Sequence, residues 1–337
     1  MTRHKCIFIH RFGKLSLINT WGHYAMRTIA VLNYKGGVGK TTFAISVSQA
    51  LAMSGFRVLA IDNDSQHHLS LVVDGDGQRS PSIRDIYRSS VGIAGKKLLD
   101  SIIETRLRNF HIVPSHAELS GHDIKDPYIL QKAIEYCSLN RFYDYIVIDN
   151  SPGIDILQAT ALHAADEIFV PTELSYFAVN GIIELHRILE KRFKDCCTIT
   201  KIIPNAYKGT NRQNEYIEAL QSLYREKITE TYIPYDTVFD TCMKEQKTLF
   251  IHKLFSKAAA HYLKLVHELF NLDEKKVWEQ VCDVKQTQLR SEARQRFFEQ
   301  QKRTFKNDGL DEDKRLQQHF QTQMQEEEMP FVSGGEY

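Results

Sequence analysis

From Met26 onward, apolar and polar positions follow a long rhythm. Short β-branched runs (TIAVLNY, RVLAID, FHIVP, YDYIVID, EIFVPT, ITKIIPN and ITETYIP) are separated by segments whose apolar residues recur at helical spacing. Runs that are apolar at nearly every position suit strands buried on both faces. The pattern therefore predicts an α/β fold, a doubly wound and mostly parallel sheet whose working loops lie at the carboxyl ends of the strands. The last helix is expected over Ser256–Phe270, where Ala259, Leu263, Val266, Leu269 and Phe270 mark one face. This bounds the domain at 26–272.

The rhythm is missing at both ends. Residues 273–337 are rich in Gln, Arg, Lys and Glu and hold too little apolar surface for a core of their own. Leu289, Ala293, Phe297 and Phe298 give only a narrow stripe, so a helical or disordered C-terminal extension is expected. Residues 1–25 carry Arg3, Lys5, Arg11 and Lys14 without an acid and precede MRTIAVLNYKGG. They are read as an extension outside the domain, which would begin at Met26.

Composition narrows the classes without naming one. The chain has 337 residues, 42% hydrophobic and 25% charged, with a formal charge of +1. Any contact with nucleic acid or anionic lipid must then come from a local patch. The six cysteines include no CxxC pair, which argues against an iron–sulfur carrier and a disulfide framework and fits reduced thiols in the cytoplasm. No apolar run approaches the roughly 20 residues that cross a bilayer.

The chemistry concentrates in NYKGGVGKTT, Asn33 to Thr42. An apolar strand runs into a glycine-rich turn that opens a helix, so backbone N–H groups and the helix N-terminus converge on one point suited to polyphosphate. Gly36, Gly37, Val38 and Gly39 would form the cradle, with Lys40 on the β- and γ-phosphates. The Thr41 hydroxyl would complete a Mg²⁺ shell, and Thr42 would reach the α-phosphate. Tyr34 stands where the general GxxxxGK[ST] pattern places its first glycine, and a second lysine, Lys35, follows it.

That loop resembles the KGGxGKT[ST] form of the ParA/MinD family of deviant Walker ATPases, matched by Lys35 to Thr42. The resemblance covers most of Met26 to about Phe270 and implies a P-loop fold and ATP hydrolysis in a homodimer assembled by ATP. Lys35 would then touch the phosphates bound by the neighbouring subunit; a solvated surface lysine is the plain alternative. IDNDSQHHLS, Ile61 to Ser70, is similar to the family's DxDxQ segment. This implies that Asp64 orients the attacking water and Asp62 supports the metal region, against a helix-capping reading of Asp64.

YDYIVIDNSPG places Asp149 where a Walker B acid acts on Mg²⁺ through water. The family's D-x-P-P is here Asp149, Asn150, Ser151, Pro152, so the shape of this loop is left open. Asn205 matches the asparagine that reads adenine in relatives, or else forms a turn. Pro234 to Asp236 matches the backbone segment lining the base.

The resemblance also implies a working surface and a stimulating partner, ParB-like or a cargo adaptor. The family's IPRNVRL arginines are replaced by Tyr235 and Phe239, so non-specific DNA contact is expected instead from Arg290, Arg294, Arg296, Lys302, Arg303 and Lys306 in the tail. Glu326 to Glu328 near the C-terminus disfavour an anionic membrane. A nucleotide-gated adaptor with little turnover is the second reading.

Overall fold

The rhythm folds into one sheet. In this computed structural model, described over residues 26–74, 79–194, 196–273, 279–281 and 283 and the backbone of 7–11 and 14–18, the strands and helices alternate along the chain. The strands are β1 (Ile7–Arg11), β2 (Lys14–Ile18), β3 (Arg27–Val31), β4 (Val58–Asn63), β5 (Ile103–Glu104), β6 (Phe110–Val113), β7 (Tyr145–Asn150), β8 (Glu167–Glu173) and β9 (Ile199–Asn205). The helices before the sheet's midpoint are α1 (Lys40–Met53), α2 (His68–Val73), α3 (Ile83–Tyr87), α4 (Val91–Ser101) and α5 (Ile129–Tyr136). Those after it are α6 (Ile156–Ala164), α7 (Tyr176–Arg192), α8 (Asn211–Tyr224), α9 (Val238–Lys244), α10 (Leu249–His252) and α11 (Lys257–Phe270).

β1 and β2 form an antiparallel hairpin of their own. The other seven strands run β5-β6-β4-β7-β3-β8-β9 across the sheet. All their pairings are parallel except β5 with β6. The unbroken apolar runs have the predicted cause, since every residue of β4 and β7 is buried. Because β7 sits between β3 and β4, helix α1 must cross over it, and the carboxyl ends of these three strands open onto one crevice.

Helix α1 is buried almost all round. Its Phe43 meets Phe169 of β8 edge to face and lies 6.3 Å from the ring of Tyr262 on α11, so the helix that starts at the glycine loop is fixed from both sides. α11 occupies Lys257–Phe270 with Ser256 accepting from the Ala259 N–H as its cap.

ITETYIP departs from expectation. It makes two isolated bridges, Ile202 with Ile228 and Tyr207 with Pro234, and no strand. The reason is a competing acceptor: the Glu268 carboxylate of α11 takes the backbone N–H of Glu230 at 2.8 Å and of Thr231 at 2.9 Å. Those donors are then lost to a ladder.

The chain divides into two units, Met1–Val281 and Cys282–Tyr337. Val281 is fully buried in the first, so packing there continues past Leu272. The basic stretch Arg290 to Lys306 and the acids Glu326 to Glu328 lie outside the described residues. No described helix is long and apolar enough to cross a membrane, and the described cysteines Cys137, Cys196, Cys197 and Cys242 are free.

Candidate active site

The glycine loop is built by two backbone demands. Gly37 and Gly39 adopt φ of +74° and +87°, the left-handed region that a side chain strains. At Gly39 space is also short, because a Cβ there would stand 2.3 Å from Nδ2 of Asn205. α1 then begins with no acid in its first turn, leaving its N-terminal N–H groups and partial positive charge for an anion. Asn33 anchors the loop's entry: its Nδ2 donates to the Pro171 carbonyl at 2.8 Å and its Oδ1 accepts from the Lys35 N–H at 2.9 Å.

The two lysines differ in surroundings. Lys40 is buried, and its ammonium donates to the Lys35 carbonyl at 3.3 Å, folded back over the loop. Burial lowers its pKa, opposed by the nearby carboxylates of Asp149 and Asp64. Lys35 is half-exposed and pairs with Glu173, Nζ to Oε2 2.7 Å, at the carboxyl end of β8. An exposed pair of this kind contributes roughly 0–1 kcal/mol, so little holds Lys35 in place. Nothing short-range in the sequence announces Glu173 as its partner.

Three acids gather at the ends of β4 and β7. Asp62 and Asp149 lie opposite each other in register and are fully buried. Asp62 is engaged: Oδ2 accepts from the Ser70 N–H at 2.8 Å and the Ser70 hydroxyl at 2.6 Å, and Oδ1 from the Asp64 N–H at 3.2 Å. Burial still raises its pKa to about 6. Asp64 closes the following turn, its Oδ1 accepting from the Gln66 N–H at 3.0 Å and its carbonyl from the Ser115 hydroxyl at 2.7 Å. Asp62 thus holds the Asp64 turn, with Ser70 and Ser115 as helpers that the DxDxQ spacing does not reveal.

Asp149 is the exception. Neither of its buried carboxylate oxygens has a hydrogen-bond partner of ordinary geometry. Burial drives its pKa well up, the neighbouring Asp62 and Asp64 add to this, and Thr41 and Lys40 oppose it. A buried, unpartnered carboxylate beside a threonine hydroxyl and two further acids fits a divalent cation, which would satisfy its oxygens and cancel the crowding. No group of three or more His, Cys, Asp or Glu among the described residues forms a metal cage. Mg²⁺ keeps waters and takes phosphate oxygens as ligands, so one carboxylate and one hydroxyl from the protein are enough for it.

The loop after Asp149 has a defined shape although Ser151 stands in place of the first proline. Ser151 accepts from Gln158 Nε2 at its hydroxyl, 2.6 Å, and at its carbonyl, 3.2 Å. Gln158 also takes the Asp155 N–H at 2.9 Å, closing a capping box at the start of α6. Pro152 Cγ then lies 3.5 Å from where a Gly36 Cβ would be, so the two loops abut.

On the far side, Asn205 donates from Nδ2 to the Val38 carbonyl at 2.7 Å. The segment that follows it is locked to the Pro234–Asp236 turn by Tyr207 N–H to Ile233 carbonyl and Tyr235 N–H to Tyr207 carbonyl, both 3.0 Å. Asp236 Oδ1 accepts from the Val238 N–H at 2.9 Å, starting α9. Asn205 and this turn therefore flank the loop together.

A strand, glycine loop and helix beneath a buried acid on a neighbouring parallel strand define the P-loop nucleotide-hydrolase class. Residues 26–202 match the AAA_31 family, an AAA domain. The chain belongs to this family, within its ParA/MinD branch of P-loop ATPases. It is 30% identical over 257 residues to the chromosome partitioning protein ParA of Caulobacter vibrioides NA1000, covering 73% of this chain and 94% of that one. It is likewise 30% identical to the sporulation initiation inhibitor protein Soj of Bacillus subtilis 168, covering 72% and 98%. Among solved structures it is similar to the septum site-determining protein MinD of Pyrococcus horikoshii in complex with Mg-ADP, with a TM-score of 0.61, 28% identity, and coverage of 72% and 96%.

Proposed function

We infer that the chain is an ATP-gated dimeric ATPase that partitions or positions cellular cargo, hydrolysing ATP to ADP and phosphate. The observation that carries this is the Asp149 carboxylate, buried beside Thr41 and Lys40 with no hydrogen bond of ordinary geometry to either oxygen. It is a buried polar group the fold leaves open, which a ligand would complete. The backbone of Gly36 to Gly39, with Lys40, Thr41 and Thr42, binds the phosphates. Asn205 and Pro234 to Asp236 border the base. Mg²⁺ would be held by Thr41 and, through water, by Asp149, and it would neutralise developing charge on the phosphate oxygens. Asp64 orients the attacking water, and Lys35, exchanging Glu173 for a neighbour's phosphates, makes dimerisation conditional on ATP.

Partition is favoured by the names and coverage of the ParA and Soj relatives. The protein would then work in the cytoplasm on the nucleoid. Arg290, Arg294, Arg296, Lys302, Arg303 and Lys306 would contact DNA phosphates, and a ParB-like or cargo-adaptor protein would stimulate turnover. Multiple-turnover phosphate release with and without DNA is the test. Slow turnover with salt-sensitive DNA binding, lost on truncation after Asp283, agrees with this reading. ATP binding without turnover under any of these conditions points to a nucleotide-gated adaptor instead.

A further inference from the structure

The ends of β4 and β7 are joined by more than their ladder. Their last pairs in register are Asp62 with Asp149 and Asn63 with Asn150, after which one strand enters the Asp64 turn and the other the Ser151 loop. Asn63 donates from Nδ2 to Asn150 Oδ1 at 2.7 Å and to the Leu157 carbonyl at 3.0 Å, and its Oδ1 accepts from the Tyr87 hydroxyl at 2.7 Å. Asn150 donates from Nδ2 to the carbonyls of Ile148, 3.1 Å, and of Val31, 3.2 Å, the latter at the end of β3. Thr160 Oγ1 lies 2.9 Å from the Tyr87 hydroxyl and 2.7 Å from the Leu157 carbonyl, and its one proton serves either.

These four side chains are buried to 1% exposure or less. Every amide donor and acceptor on the two asparagines is used, which is the condition under which a buried polar network rigidifies its surroundings. Neither amide is needed to bind phosphate. Their position is the informative feature: one amide pair spans the strands that deliver Asp64, Asp149 and, through Val31, the glycine loop. Asn150 fills the unrestricted second position of D-x-P-P, and the adjacent strand answers it with Asn63.

We propose that the Asn63–Asn150 amide bridge, seated by Tyr87 and Thr160, is a positioning element for the hydrolytic step, fixing Asp64 relative to Asp149 and the glycine loop. The residues act through the acids and touch no reacting atom. This rests on the ATPase reading above.

The decisive variant is Asn63→Leu with Asn150→Leu. Replacing both asparagines leaves neither amide unpaired but strands the Tyr87 hydroxyl and removes bonds to the Leu157, Ile148 and Val31 carbonyls, so turnover is compared with ligand affinity on the folded protein rather than with stability. The full-length double variant is expected to fold with a lowered melting temperature and to keep its affinity for Mg-ADP within about threefold, while kcat for phosphate release falls at least about tenfold, the scale of a misplacement well under an ångström. Tyr87→Phe, which removes one hydroxyl and keeps the ring, is expected to lower kcat about three- to fivefold at unchanged affinity, a fraction of the same misplacement effect. A double variant that folds and turns over at the wild-type rate overturns the proposal and makes the network purely structural. If the double variant does not fold, Tyr87→Phe decides on the same terms. If wild type releases no phosphate in the same assay, the ATPase reading fails and this inference with it; active wild type with unchanged variants defeats the inference alone.

Discussion

Asp62 and Asp149 occupy equivalent places at the ends of two neighbouring parallel strands, opposite one another in the ladder, yet their surroundings are opposite. Both are fully buried. Asp62 accepts hydrogen bonds from the Ser70 and Asp64 backbones and the Ser70 hydroxyl, whereas Asp149 has no hydrogen-bond partner of ordinary geometry. The difference separates a carboxylate that completes the fold from one the fold leaves for a ligand. It also shows why strand ends are where such a site can be built: the ladder fixes the acids, and the loops beyond decide which of them are satisfied.

Exchanging the roles is the strongest way to break the comparison. Asp149→Asn should lower phosphate release on the order of 10²–10³-fold by removing the group that acts on the metal. The same change should raise the stability of the metal-free protein at neutral pH by about 1–3 kcal/mol, because folding no longer has to protonate or desolvate a carboxylate that is ionised in the unfolded chain. Calorimetry with and without Mg-ADP checks this. Asp62→Ala should do the reverse, costing about 2–3 kcal/mol of stability by stranding buried donors. A denaturant titration in which Asp62→Ala is neutral and Asp149→Asn is destabilising would reverse the assignment.

Smaller effects sharpen it. Asp64→Ala should bind Mg-ATP and lose on the order of 10²-fold in turnover, read from single-turnover kinetics, the effect of removing the group proposed to orient the attacking water. Lys35→Ala should change stability by less than about 1 kcal/mol, given that its pair with Glu173 is solvent-exposed. Its monomeric nucleotide affinity should also stay unchanged in a titration with Mg-ADP.

What could be read in advance followed short-range pattern. The buried parallel strands, the helix closing at Phe270 and the glycine loop are local signals. KGGVGKTT specifies its own backbone, as the positive φ of Gly37 and Gly39 confirms. What could not be read depends on partners far apart in sequence. Lys35 meets Glu173 across 138 residues, and Asn63 meets Asn150 across 87. ITETYIP carries a strand pattern, but Glu268 on a distant helix captures its N–H groups. The DxDxQ spacing supplies two acids without showing that Ser70 occupies the first of them.

The proposed ATP dimer depends on Lys35 crossing to a neighbour's nucleotide, and sedimentation velocity reads this most directly. With Mg-ATP, the slowly hydrolysing Asp64→Ala protein is predicted to sediment as a dimer, and the same protein carrying Lys35→Ala as a monomer that still binds ATP. Single chains under saturating Mg-ATP across a wide range of protein concentration, or an ATP dimer that persists without Lys35, would contradict it.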